Sequence, residues 1–198
     1  MHSFRSAALL CPLVLCAFIG TARAQVAAQS KPTRDAGDAL SKPVGAASAS
    51  TLGSVNSTLF VQNAARSDMY EISAGKLAEG RASSPQIKAF AKQMVQAHTK
   101  TSASLKTALG KSGVKVAIPS QLDARRQGLL DNLRASPADE FEKRYVAQQV
   151  ASHQEALDLM QGFAERGDNA VLKVAAAKTA PLVAEHLKMA KMLPGAGG

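Results

Sequence analysis

The chain has 198 residues, 46% of them apolar and only 4% aromatic, with a formal net charge of +9 at pH 7. That is enough sequence for one domain with a substantial core. With no tryptophan and no basic run longer than two residues, the chain lacks the stacking and phosphate-neutralising surfaces that nucleic acid requires.

Residues Met1–Ala24 read as a secretory leader. Arg5 sits in a short basic start, an apolar run extends from Ala7 to Ile19, and Ala22-Arg23-Ala24 forms a small-x-small cleavage signal before Gln25. The apolar run is too short for a membrane anchor, so the mature chain is expected to carry no transmembrane segment. Cys11 and Cys16 both lie in the leader, each preceded by a leucine rather than the small residue a lipoprotein needs. The mature chain therefore has neither disulfides nor thiolate metal ligands. Cleavage removes Arg5 and Arg23, leaving 22 basic against 15 acidic side chains, a net charge of +7. These charges are mixed at helical spacing and read as solvated helix faces, with weak association with anionic envelope components as the lesser alternative. The expected location is secreted and periplasmic, with association with the outer membrane left open, which argues further against nucleic acid.

Residues 25–56 are rich in Ala, Ser, Gly and Pro, include Lys31-Pro32 and Lys42-Pro43, and read as a flexible lead-in. The folded domain is expected over 57–194. A first long helix is predicted from Ser57, as a possible cap, to Arg81. A second starts at Ser84-Pro85 and runs to about Leu109, where Gly110 and Gly113 stop it. After an extended stretch from Val114 to Ile118, Ser120 is expected to cap a short helix carrying Leu122, Leu129, Leu130 and Leu133. The third long helix opens with Ser136-Pro137-Ala138-Asp139, read as a capping box, and runs to Arg166. Asp168 is expected to cap the fourth, which ends near Leu193 and contains Pro181, the source of an expected kink. The fold class is all-α: two helical hairpins joined by a long connection that holds a short extra helix, a four-helix bundle.

Outside the leader the chain has three histidines, one on each of the last three long helices. Each falls on an apolar stripe with alternating spacings of three and four. The series are Ile87, Ala91, Met94, His98, Thr101, Leu105; then Val146, Val150, His153, Leu157, Met160; and finally Leu172, Ala175, Thr179, Leu182, His186, Met189. The first helix places Glu71 on its stripe of Phe60, Ala64, Ser67, Ala74 and Ala78. Counted from the hairpin turns, Glu71 is 10 residues before Arg81 and His98 is 13 after Pro85, while His153 is 13 before Arg166 and His186 is 17 after Asn169. At about 1.5 Å per residue each pair is level within roughly one turn. Burying unpaired polar groups costs about 1–3 kcal/mol each, so four at one height either satisfy one another or stay partly exposed. A hydrogen-bonded network or a bound cation would satisfy them. Glu71, His98, His153 and His186 are therefore the candidate metal ligands. Asp68, Tyr70, Tyr145 and Gln149 are candidate outer partners. Three nitrogens and a carboxylate suit Zn, Fe, Cu, Ni or Mn, and disfavour Ca and Mg, which want more oxygen ligands.

The stretch from Phe60 to Ala78, with its Ser67-Asp68-Met69-Tyr70-Glu71 centre, and the stretch from Ile87 to His98 carry a resemblance. So do Phe141-Glu142-Lys143-Arg144-Tyr145 ahead of His153 and Pro181 to Leu187 around His186. These four blocks, in order over about Leu59 to Leu193, resemble a bacterial family of unknown function whose members are often labelled predicted outer-membrane proteins. The resemblance implies a ferritin-like four-helix fold and an envelope location, with no settled activity. Two departures matter. Ferritin-like di-iron enzymes carry Glu-x-x-His on two helices, and here Val95, Val150 and Val183 stand three residues before the histidines. Many relatives carry Asp immediately before the first histidine, where this chain has Ala97.

The functional expectation is a bundle that binds a transition-metal ion in its core for handling or sensing. The alternative is a metal-free envelope structural or stress-response protein acting through its surface. No catalytic signature is present: there is no nucleophile with a base at helical spacing, no phosphate-cradling glycine loop and no pair of histidines on one helix.

Overall fold

Four long helices and one short one account for nearly all of residues 55–196, the part of the chain that the computed structural model describes. They are α1 (Ser57–Arg81), α2 (Pro85–Ser112), α3 (Ala124–Ala135), α4 (Ala138–Arg166) and α5 (Ala170–Lys191), and no strand occurs among the described residues. The expected leader and nearly all of the expected lead-in fall outside those residues. None of the described helices is long and apolar enough to cross a membrane.

The hairpins form as expected, but several ends are built differently because neighbouring groups compete for the predicted caps. Asn56, not Ser57, caps α1 by accepting from the Leu59 N–H. Ser57 is taken instead by Asp168, which accepts from both its N–H and its hydroxyl. The Asp168 N–H in turn donates to the Val55 carbonyl at 3.0 Å. With Asp168 so engaged, Asn169 caps α5 through the Leu172 N–H, and its amide donates to the carbonyl of Ser112, at the end of α2. Ser84 caps α2 as expected, while Gly110 is carried inside the helix, which stops at Gly113 with φ +77°. Asp123, not Ser120, caps α3, so Leu122 precedes the helix. The expected capping box before α4 does not form, because the Ser136 hydroxyl donates back to the Asn132 carbonyl. Pro181 lies inside α5, which is continuous to Lys191 rather than Leu193.

The start of α1 meets the α4–α5 turn, and the end of α2 meets the start of α5. At the other end, Glu142 near the start of α4 accepts from the Ser83 and Ser84 N–H groups in the α1–α2 turn. The long connection with α3 must therefore run the length of the bundle. The helix pairs α1/α2 and α4/α5 pack as hairpins, and α2 against α5 and α1 against α4 close the square. α3 lies over α1 and α4 through Leu129, Leu130 and Leu133. Arg81 fastens its end by donating to the carbonyls of Leu133, Arg134 and Ser136 while its guanidinium stacks over Phe141.

The apolar core is divided in two. One cluster gathers Tyr70, Ile87, Phe90, Met94, Leu133, Phe141 and Tyr145. The other gathers Phe60, Val61, Leu105, Met160, Phe163, Leu172 and Val183. Between them, in sequence on every long helix, sit Asp68, His98, His153 and His186. The buried face of α5 differs from the expected stripe: Ala176, Ala180 and Val183 are buried, whereas Leu182 is 40% exposed. α1 and α2 approach closely at Gly75, where an added Cβ would lie 2.7 Å from Val95 Cγ2 and 3.0 Å from the Ala91 carbonyl oxygen. Gly75→Leu is expected to destabilise by about 1–2 kcal/mol, overpacking outweighing the gain in helix propensity. The check is a melting temperature lower by several degrees than that of the parent.

Candidate metal centre

His98 on α2, His153 on α4 and His186 on α5 meet in the middle of the bundle. Their ring centroids are 5.5 Å apart in all three pairings. One ligand atom from each lies within 4.8 Å of the others, and all three side chains are buried. His98 and His153 stand near the centres of α2 and α4, and His186 stands in the last third of α5; rotation about each helix axis, fixed by the apolar residues above and below, aims the ring at the bundle axis.

The hydrogen bonds decide which nitrogens face the centre. Asp68 Oδ1 accepts from His98 Nδ1 at 2.8 Å. The Gln149 carbonyl one turn back accepts from His153 Nδ1, also at 2.8 Å. An N–H at both Nδ1 positions leaves a lone pair on each Nε2 of a neutral ring. Those two Nε2 atoms are 3.4 Å apart. Two facing lone pairs at that distance repel unless a cation lies between or beside them, either a proton on one ring or a metal ion. Nitrogens each about 2.0–2.1 Å from a tetrahedral zinc are about 3.3 Å apart, so this pair already has the spacing of two ligands on one ion.

The carboxylate is set up to orient the ring. Asp68 also accepts from the Thr101 hydroxyl at 2.8 Å and the Ser102 hydroxyl at 3.0 Å, which holds both of its oxygens. A carboxylate bonded to the outer nitrogen of a histidine fixes its tautomer and raises its basicity toward a metal. His186 is different, since neither of its ring nitrogens has a partner. Of the seven unpartnered buried side-chain atoms among the described residues, six belong to Glu71, Tyr145, Gln149 and His186, so the unsatisfied polarity is concentrated at this level.

The remaining sequence candidates distribute unevenly. Glu71 lies at the same level but outside the triad: its Oε1 is 4.0 Å from His153 Nδ1, the nitrogen turned away from the other rings, and accepts from the Ser152 hydroxyl at 2.5 Å. Asp68 is engaged with His98 as an outer partner. Gln149 contributes its backbone carbonyl, while its buried side-chain amide stands unpartnered. Tyr145 is buried with a free hydroxyl, and Tyr70 donates to Gln148 at 2.6 Å rather than to the site. Sequence reasoning missed Ser152, Thr101 and Ser102 as carboxylate partners. Their positions next to His153 and one turn after His98 were the available signal.

A family described as a domain of unknown function, DUF4142, matches residues 42–193. The chain belongs to the DUF4142 family. No curated protein and no solved structure matches it.

Within this DUF4142 domain the three imidazoles are electrostatically unequal. Burial would lower the pKa of His98, but the Asp68 hydrogen bond and the charges of Glu71 and Asp68 together raise it above 6.5. Burial dominates at His153 and lowers its pKa, with His98 adding to the depression and Glu71 opposing it. His186, buried and facing both other rings, is pushed down to about 3. At neutral pH the cluster therefore offers neutral His153 and His186 as donors, beside a His98 that attracts a proton. Burial and the nearby Glu71 hold the Tyr145 phenol protonated.

Proposed function

We propose that this domain binds one transition-metal ion through Nε2 of His98 and His153 and a ring nitrogen of His186, for metal handling or sensing. The observation that carries the reading is the 3.4 Å approach of two Nε2 atoms whose other nitrogens are both committed as donors. Such a pair is stabilised by a cation, and His186 adds a third donor with no competing partner. Asp68 and Glu71 supply counter-charge to the ion, and a fourth coordination position stays free. Nitrogen donors of this kind accommodate Zn, Fe, Cu, Ni or Mn. The single long crossover supports a ferritin-like assignment of the bundle, and the leader sequence supports an envelope location.

The second reading is a metal-free envelope protein. It is favoured by the Asp68 network, which satisfies His98 without any ion. One experiment separates the two. Untagged protein is stripped with chelator, offered each of the five metals, and assayed for bound metal and melting temperature. The expected result is one ion per chain. At a free concentration one hundred times the Kd, stabilisation should be about 2.7 kcal/mol, a rise of roughly 10 °C that chelator reverses. If none of the metals binds or raises the melting temperature, the metal reading is lost.

A further inference from the structure

The stripe Ala175, Thr179, Leu182 on α5 does not fill the core. It faces α2 across a cavity of about 700 Å³, which runs from His98 and His186 to Lys111 and Val171. From His98 to Lys111 is 13 residues, about 20 Å of helix, so the cavity is a long groove rather than a round chamber. Its volume is that of ligand sites, about 300–1,000 Å³. Small side chains on both helices leave it open, among them Thr101, Ser104 and Ala108 on α2.

Three observations describe what would fit. The walls are mainly aliphatic, and three of the six exposed large apolar side chains among the described residues, Val171, Val174 and Leu182, line this groove. Lys100, Lys111 and Lys178 also line it, while the one acid among its lining residues, Asp68, has both oxygens engaged. At the inner end is His186, 1% exposed and unpartnered at both nitrogens. An anion with an extended apolar body matches all three.

We propose that this groove binds an apolar-chained carboxylate whose head group takes the free position on the metal ion held by His98, His153 and His186. The inference rests on the metal-binding reading. Lysines along the groove attract the anion, the aliphatic walls take its chain, and a monoanionic head costs less to desolvate at the ion than a dianionic one.

The test uses the full chain loaded with cobalt(II), whose visible spectrum reports its ligands, and decanoate below its micelle-forming concentration. Each buried methylene contributes about a fourfold gain in affinity. Decanoate should therefore bind at least 100-fold more tightly than acetate and shift the cobalt spectrum, whereas decyltrimethylammonium should not bind. Val174→Glu, at a position 54% exposed, should weaken decanoate at least tenfold and leave cobalt stoichiometry at one. Cobalt binding with a spectrum that decanoate leaves unmoved, or equal decanoate affinity in Val174→Glu, overturns this proposal and spares the metal reading. If cobalt does not bind, decanoate and acetate affinities are compared on the protein loaded with whichever of the five metals does, with the same expected ratio; absence of binding by cobalt and by all five overturns both. A dimer that Val174→Glu dissociates, with no uptake of decanoate, assigns the groove to a second copy of the chain and also overturns the proposal.

Discussion

His153→Ala is expected to remove most of the metal-dependent stabilisation, lowering metal affinity at least 100-fold. His153 is the residue whose Nε2 stands at ligand spacing from His98, and its other nitrogen is already fixed by the Gln149 carbonyl, so no rotation of a neighbour replaces it. An ion present at 1,000 times its Kd adds about 4.1 kcal/mol to stability, and a 100-fold loss removes about 2.7 kcal/mol of that. The metal-free variant carries a separate cost that chelator does not change. It loses a ring packed edge-on against Phe90 at 6.3 Å, but it also loses one of two opposed lone pairs. A cost of about 1–3 kcal/mol is expected for the apo protein. Calorimetry with and without chelator, together with metal analysis, checks this. A variant that keeps a chelator-sensitive melting temperature close to the parent's would exclude His153 as a ligand.

Acidification should destabilise the metal-free protein between pH 7 and about 4.5. The sign follows from the direction of each shift. His186 and His153 have folded pKa values below 6.5, His186 at about 3, so below pH 6.5 the unfolded chain takes up protons that the folded chain refuses. Their contribution is present above pH 6.5 and is lost as pH falls toward the folded values. His98 acts oppositely: its raised pKa contributes stability that is present below 6.5 and is lost as pH rises through the folded value. Two depressed groups outweigh one raised group. Each pH unit traversed by one refused proton costs up to about 1.4 kcal/mol. Water admitted by the groove and the facing carboxylates Asp68 and Glu71 reduce this, so a net loss of about 2 kcal/mol is expected across the window. Metal affinity should fall with the same acidification because protons compete for the same nitrogens. Denaturant unfolding at a series of pH values provides the measurement, and a flat profile from pH 7 to 4.5 would contradict the electrostatic description.

The periodic features were the legible ones. Helix α1, both hairpins and the convergence of the three histidines follow from alternating spacings of three and four on long amphipathic segments, and from turns too short to allow anything but reversal. End chemistry was less legible because caps are chosen in three dimensions. Ser57 and Asp168 are both good caps by residue type, and each was lost to the other across 111 residues of sequence. The α5 stripe failed for a related reason. Ala175 and Thr179 have the spacing of core residues, yet nothing in one helix reveals that α2 presents Ser104 and Ala108 opposite them and so leaves a gap. Glu71, read as a fourth ligand, stands 4.0 Å from the outer nitrogen of His153 and outside the triad. Its side-chain direction, toward Ser152 and the outer nitrogen of His153, depends on rotamer choice that helical periodicity does not encode.

The latch between Ser57 and Asp168 fixes the pole at which the polypeptide enters the bundle. The α1 start, the α4–α5 turn and the end of α2 are tied together there, and the groove extends to Phe60, Lys111 and Val171 at that same pole. Val55, the first described residue, consequently lies beside the mouth of the groove, while the α1–α2 turn faces the opposite way. A probe attached at Val55 would therefore report on that opening from the topology alone, without a dedicated contact.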